Sequence, residues 1–218
     1  MSARNEYDVS ELEAAWLKRL DASISKEKRK TSPAKVTSVP DIMQVIGPHP
    51  STLDEELFLR GCSQHKGRGR GPGGQNRNKV ETLIELTHDA TGIAAHAGER
   101  RTATENRRVA IWRLRIALAL MVRATVAAGD CRSELWKRRC AAEGKQAGRI
   151  VVSTAHADFP SMLAEALDVL WASELDVKHA SIRLMCTPSQ LIKLIKDQPH
   201  ALGWVNVHRA GRGLREMK

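Results

Sequence analysis

A chain of 218 residues with 42% hydrophobic content is long enough for one or two domains with a packed core. The net charge of +10 and pI near 9.8 point to an anionic partner. No run of about 18 apolar residues is present, which excludes a membrane-spanning helix. Positive charge is concentrated in the middle: residues 61–145 carry 17 basic against 8 acidic side chains, whereas residues 1–60 carry 9 against 10. Met1–Tyr7 has no apolar signal core, and Glu6, Asp8, Glu11 and Glu13 argue against a transit peptide, so a cytoplasmic protein is expected. Cys62, Cys131, Cys140 and Cys186 have neither zinc-site nor redox-pair spacing, which predicts reduced, mostly buried thiols with no metal and no cofactor.

In chain order, Ser10-Glu11-Leu12-Glu13 reads as a capping box opening a short helix with Leu12, Ala15, Trp16 and Leu20 on its apolar face. Lys26–Lys35 is a polar linker, and Thr37–Pro50, with three prolines, reads as irregular. Thr52-Leu53-Asp54-Glu55 is a second capping box, predicting a helix to about Arg60. Cys62–Arg68 reads as a strand, and Gly67–Gly74, with five glycines and Pro72, must be a loop. Val80–Thr87 alternates Val80, Thr82, Ile84 and Leu86 against Glu81 and Glu85, as a strand does. Asp89–Gly92 is a turn and Ile93–Ala97 the returning strand of a hairpin. Thr102 to Glu105 caps the longest helix, whose buried face is Ala110, Leu114, Ala117, Leu118 and Met121, with Arg108, Arg113 and Arg115 outside it and Gly129 as its stop. A basic helix follows over about Ser133–Glu143, then a boundary at Gly144–Gly148. Asp158 is a candidate cap for a helix that buries Phe159, Met162, Leu163, Ala166, Leu167, Leu170 and Trp171.

Between the first two strands runs Arg68-Gly-Arg-Gly-Pro-Gly-Gly-Gln-Asn-Arg-Asn-Lys79. A glycine- and arginine-rich loop alone is weak evidence. Gly73-Gly74-Gln75, followed by Asn78-Lys79 and a strand, is far more specific. Over about Cys62–Leu120 the sequence resembles the catalytic domain of class I peptide chain release factors and the short relatives that rescue stalled ribosomes. The matching residues are Arg68, Gly71, Gly73, Gly74, Gln75, Asn76, Asn78 and Thr82, the His88-x-x-Thr91-Gly92 turn, and Arg101-Thr102 with Asn106-Arg107 at a helix start. The chain departs from the family pattern at Gly69, Arg77, Leu83 and Ala103.

The resemblance implies an α+β fold, a small mainly antiparallel sheet with a long helix packed on it, flanked here by helical N- and C-terminal segments. It implies hydrolysis of the peptidyl-tRNA ester on the ribosome, with Gly73, Gly74 and Gln75 as the catalytic loop. The Gln75 backbone amide is placed at the reacting centre, and its side chain shapes the cavity for water. An amide has no useful pKa, so Gln75 positions and does not act as acid or base. Backbone donors of this kind stabilise a developing oxyanion without reorganising, and glycines let the main chain come close. Arg68, Arg70, Arg77, Asn78 and Lys79 are the candidate contacts to RNA phosphates. The family's glutamine is often N5-methylated by a dedicated methyltransferase, which makes Gln75 a candidate modification site.

The expected division is an N-terminal helix and linker at 1–50, the hydrolase domain at 51–145, and a mainly helical segment at 146–218. No codon-reading motif is visible, which favours codon-independent release or ribosome rescue by a monomer. A free basic tail is not evident either: the last eleven residues, His208 to Lys218, are brief. Val177–Leu194 reads equally as a plain helical hairpin or as a helix-turn-helix, with Ala180, Leu184 and Leu191 buried, Thr187-Pro188 opening the second helix, and Met185 where the turn glycine is usual. Two alternatives of other classes are a non-catalytic RNA- or ribosome-docking module and a DNA-binding regulator.

Overall fold

The computed structural model describes residues 42–68, 80–141 and 143–218, all within the unit Ser38–Lys218. The helix expected after Ser10 and the linker Lys26–Lys35 lie outside them. The fold is α+β. Strands β2 (Cys62–Gly67), β3 (Leu83–His88) and β4 (Ala94–Ala97) form an antiparallel sheet in that order. Its alternation is the one the sequence sets: Ile84, Leu86 and His88 are buried while Glu85 points to solvent. Gly92, at φ 71, closes the β3–β4 turn, a backbone conformation that disfavours a side chain.

The buried face of the sheet is covered by α2 (Ala103–Met121), and α4 (Phe159–Ala172) packs against α2. Placed between sheet and helix, α2 is apolar almost all round in its second half: Ile116 to Leu120 are all buried. The same holds for α4, in which every residue from Phe159 to Leu170 is buried. Helices α5 (Val177–Arg183), α6 (Pro188–Lys196) and α7 (Pro199–Gly211) then close round α4.

Four local readings are corrected. Thr37–Pro50 is not wholly irregular: Met43–Val45 forms β1, paired in parallel with β5 (Val122–Ala124). That pairing also corrects the end of α2, which stops at Met121 and not at Gly129, because the chain turns extended at Val122 (φ −110, ψ 145) to meet β1. Helix α1 (Glu55–Arg60) is capped by Asp54, whose side chain accepts from the Leu57 N–H. Thr52 belongs instead to a 3-10 turn, Pro50–Thr52, and donates to the His49 carbonyl. Asp158 precedes α4 but makes no capping bond; its carboxylate takes the Arg139 guanidinium at 2.6 Å, a charge-assisted bond that outcompetes a backbone N–H.

The basic helix is α3 (Glu134–Arg139), shorter than expected and capped by Ser133. Its neighbourhood holds the α5–α6 turn by successive carbonyls: Trp136 Nε1 donates to Leu184 O at 2.8 Å and Cys140 Sγ to Met185 O at 3.7 Å. Met185 lies in the left-handed region (φ 49), the conformation for which glycine is usual there. Ala180, Leu184 and Leu191 are fully buried, as the sequence pattern predicts. The final residues fold back. Asn206 both donates to Met217 O and accepts from Met217 N, and Met217 is buried.

All four cysteines are free, Cys140 and Cys186 buried and the other two half-buried. Burial pushes their thiols up, Cys62 to about 11 and Cys186 to about 12, so they remain protonated and unreactive.

Candidate functional site

The strand register fixes where the glycine-rich segment starts and ends. Gly67, the last residue of β2, pairs with Leu83, the first of β3. Residues 68–82 therefore leave and re-enter on neighbouring strands at one end of the sheet. Of the sequence-predicted site residues, Arg68 stands at the exit, exposed, with Nε 3.7 Å from the Glu81 carboxylate at the entry. At 62% and 53% side-chain exposure this pair contributes little stability. Gly73, Gly74, Gln75, Arg70, Arg77, Asn78 and Lys79 lie outside the described residues.

The base of the loop is held by a residue that the sequence singled out only as part of the helix-start motif. Asn106, in the first turns of α2, is fully buried. Its Nδ2 donates to Thr82 O at 2.6 Å and to Arg100 O at 3.1 Å, and its Oδ1 accepts from Arg100 N at 2.9 Å. One carboxamide thus joins the loop's return, the β4–α2 turn and the start of α2. The signal was present: asparagine is a poor helix-interior residue, and it sits four places after a cap. That cap forms as expected, with the Glu105 N–H donating to Thr102 Oγ1 and Thr102 Oγ1 donating to the Glu105 carboxylate.

Arg113, read only as lying off the apolar stripe, is buried and structural. It donates to His96 O at 2.7 Å and grips the Glu99 carboxylate, bracing the β4–α2 turn from inside. Burial works against ionised Glu99, but the backbone N–H groups of Glu99 and Gly98 and the Arg113 charge hold its pKa below the usual value. Arg115 likewise donates to Leu53 O at 2.8 Å and lies over the Phe58 ring.

Leu83 is accommodated by glycines on both sides. A Cβ on Gly98 would stand 2.9 Å from Leu83 Cδ1, and one on Gly67 3.3 Å from Cδ2. The far end of the hairpin is locked by His88 Nδ1 against Thr91 Oγ1 at 2.9 Å. Burial lowers the His88 pKa, with Asp89 opposing, and keeps the ring neutral.

Lys66, Arg100, Arg101, Arg107 and Arg108 are all exposed on β2 or at the start of α2. Arg107 spans from helix to strand, donating to Gln64 Oε1 at 3.0 Å. The base of the loop is thus a rigid frame with a positive rim. Among the described residues no group of three His, Cys, Asp or Glu is placed to hold a metal ion. No described helix is long and apolar enough to cross a membrane.

Comparison with known proteins agrees with this frame. Residues 63–153 match the RF-1 domain family model. Peptide chain release factor 1 of Leuconostoc citreum is 35% identical over 92 residues, 42% of this chain and 23% of that protein. An uncharacterised mitochondrial peptide chain release factor-like protein of Saccharomyces cerevisiae is 42% identical over 65 residues, 30% of this chain and 36% of that protein. Peptide chain release factor 1 of Chlorobaculum tepidum is 30% identical over 117 residues, 53% of this chain and 30% of that protein. The chain therefore spans 36% or less of the length of these relatives. The segment 63–153, which holds most of the sheet, the hairpin turn and the long helix, is thus similar to the RF-1 domain of peptide chain release factors.

Proposed function

We propose that this protein hydrolyses the ester bond of peptidyl-tRNA on the ribosome without reading a codon, and so releases stalled ribosomes. The carrying observation is that Gly73-Gly74-Gln75 falls in a segment whose two ends are clamped together by the Gly67–Leu83 register and by Asn106. The ester is already activated and held by ribosomal RNA. The protein has to add a positioned water and a donor for the developing negative charge, which is work for the Gln75 backbone N–H. Gly73 and Gly74 let that amide approach. Arg68, Arg70, Arg77, Asn78 and Lys79 contact RNA phosphates, and the exposed Arg101 and Arg108 extend the same rim. Residues 51–145 carry this activity and residues 146–218 support it. The protein acts as a monomer in the cytoplasm, without metal or cofactor, and Gln75 is the residue open to N5-methylation by a glutamine methyltransferase.

The test is release of labelled peptide from ribosomes with a stop codon, a sense codon or truncated mRNA in the A site. Wild type releases in at least the truncated case. Gln75→Ala keeps the backbone donor but removes the side chain that shapes the cavity for water; it lowers the release rate by about 100-fold, the scale for a misplaced reacting group, while ribosome binding survives. Wild-type protein that binds ribosomes but releases nothing would make it a docking module.

A further inference from the structure

The C-terminal helices lie largely outside the family match, and the proposed reaction makes no use of their surface. Helix α6 presents Ser189, Lys193 and Lys196 along one exposed face, at i, i+4 and i+7. Beside it runs the turn 143–149. Thr187 N donates to Gly148 O at 3.1 Å, Ile150 N donates to Gln190 Oε1 at 3.2 Å, and Gly148 N closes on Ala141 O at 2.8 Å. Lys193 shares a small cleft with Ile150 and Val152. These contacts bring exposed Lys145 and Arg149 to the flank of α6; exposed Arg138 lies in α3, two residues before Cys140, which bridges to Ile150. None of Arg138, Lys145, Arg149, Lys193 or Lys196 has an ion pair or side-chain hydrogen bond among the described residues. Glu143 and Asp197 are the acidic residues of the same turn and helix end, so the surface stays net positive.

We propose that this surface, the outer face of α6 with the 143–149 turn, binds the sugar-phosphate backbone of structured RNA. The α5–α6 unit has the turn of a helix-turn-helix, Met185 taking the left-handed conformation, but it is not built to read a DNA groove. A groove-reading helix presents its N-terminal turn to base edges. In α6 the side chain there that is best suited to a base edge, Gln190, spends its carbonyl on Ile150 N, and Thr187 N is tied to Gly148 O. What remains free is a row of cations on stems, which suits phosphates and is indifferent to base sequence. The choice of RNA over DNA also rests on the ribosomal reading above.

The experiment measures binding of the full chain to a fluorescein-labelled RNA hairpin by anisotropy across a salt series, with a DNA duplex of the same sequence beside it. The variants are the double reversal Arg149→Glu/Lys193→Glu, the milder Arg149→Gln/Lys193→Gln, and Arg60→Glu as a reversal elsewhere. Wild type binds the RNA more tightly than the DNA. The double reversal weakens RNA binding at least tenfold, and the slope of log affinity against log salt falls by about 0.7 to 0.9 for each phosphate no longer neutralised. The glutamine pair shows the same direction with smaller size, and Arg60→Glu stays within twofold. Unchanged RNA affinity in both double variants, an equal loss in Arg60→Glu, or tighter binding to the DNA duplex overturns the inference. Peptide release is scored separately. Wild type that releases no peptide but loses RNA through these substitutions sinks the hydrolase reading alone; release with unaffected RNA binding sinks this one alone.

Discussion

Asn106 shows what one side chain does when its neighbours depend on it. Three hydrogen bonds from a fully buried carboxamide hold Thr82 and both backbone groups of Arg100. Replacing it by alanine removes those bonds and leaves part-buried backbone groups of Thr82 and Arg100 without these partners, which costs more than the bonds contribute net. Asn106→Ala is expected to lower stability by about 2–4 kcal/mol, even though alanine is the better helix former. Urea unfolding of the two proteins measures this. A difference below about 0.5 kcal/mol, the usual size at an indifferent surface position, would remove Asn106 from the frame. The same variant should slow peptide release even under conditions where it remains folded, because the loop's return strand is no longer fixed.

At the scale of elements, the 3-10 turn before α1 is joined to β5 by His49. The ring accepts from Ser51 N at Nδ1 (3.0 Å) and faces Val122 O with Nε2 (3.2 Å), so it must be neutral with its proton on Nε2. Burial, and then the Arg123 charge, lower its pKa from 6.5 to about 3. The folded state therefore binds fewer protons than the unfolded one below pH 6.5. The stability His49 provides is complete above that pH and is lost as pH falls towards the folded value. Asp168 runs the other way: burial raises its pKa against the pull of Arg123, so its contribution is greatest at low pH and is lost as pH rises through its folded value. The informative quantity is thus the stability difference between wild type and His49→Gln. It should shrink from pH 7.5 to 5, by up to about 1.4 kcal/mol per unit, in urea unfolding at each pH; a constant difference would rule the assignment out.

These elements also show what sequence carries and what it does not. The hairpin, α2 and α4 were legible because apolar periods of two and of 3.6 reflect which face is buried, and that does not depend on the partner. Strands β1 and β5 were not, since each is three residues long and exists only by pairing with the other across the chain. Arg113 and Arg123 were unreadable for a related reason. A charged residue next to an apolar stripe looks solvated until the carbonyls and carboxylates that surround it are known. At the site, the Gly-Gly-Gln sequence announced itself, whereas Leu83 read as a departure from the pattern. The fold supplies its context, with Gly67 and Gly98 leaving room on either side.

For the whole molecule, the family match ends at residue 153 but the core does not. Helix α2 buries one side against the sheet and the other against α4, so removing residues 146–218 would bare the second side. It would also strip a buried cation of its surroundings. Arg123 is 2% exposed, 3.3 Å from the Asp168 carboxylate and stacked over Trp204 at 4.4 Å, and both partners lie in the C-terminal helices. Breaking a buried pair by deleting one partner typically costs about 3–5 kcal/mol, a large share of a domain's net stability of about 5–15 kcal/mol. Ser133, the cap of α3, would lose Glu165, which accepts from its backbone N–H at 2.8 Å. A fragment of residues 38–145, although it contains the glycine-rich loop and its frame, is therefore expected to show no cooperative unfolding transition. Residues 38–218 should unfold in a single one. Circular dichroism melts of the two proteins decide it. A cooperative melt of the short fragment would mean that the sheet and α2 carry their own stability and that the C-terminal helices are an independent addition. Its absence would mean that the loop's geometry depends on helices lying mostly beyond the family match, so that substitutions in α4 reach the site through α2.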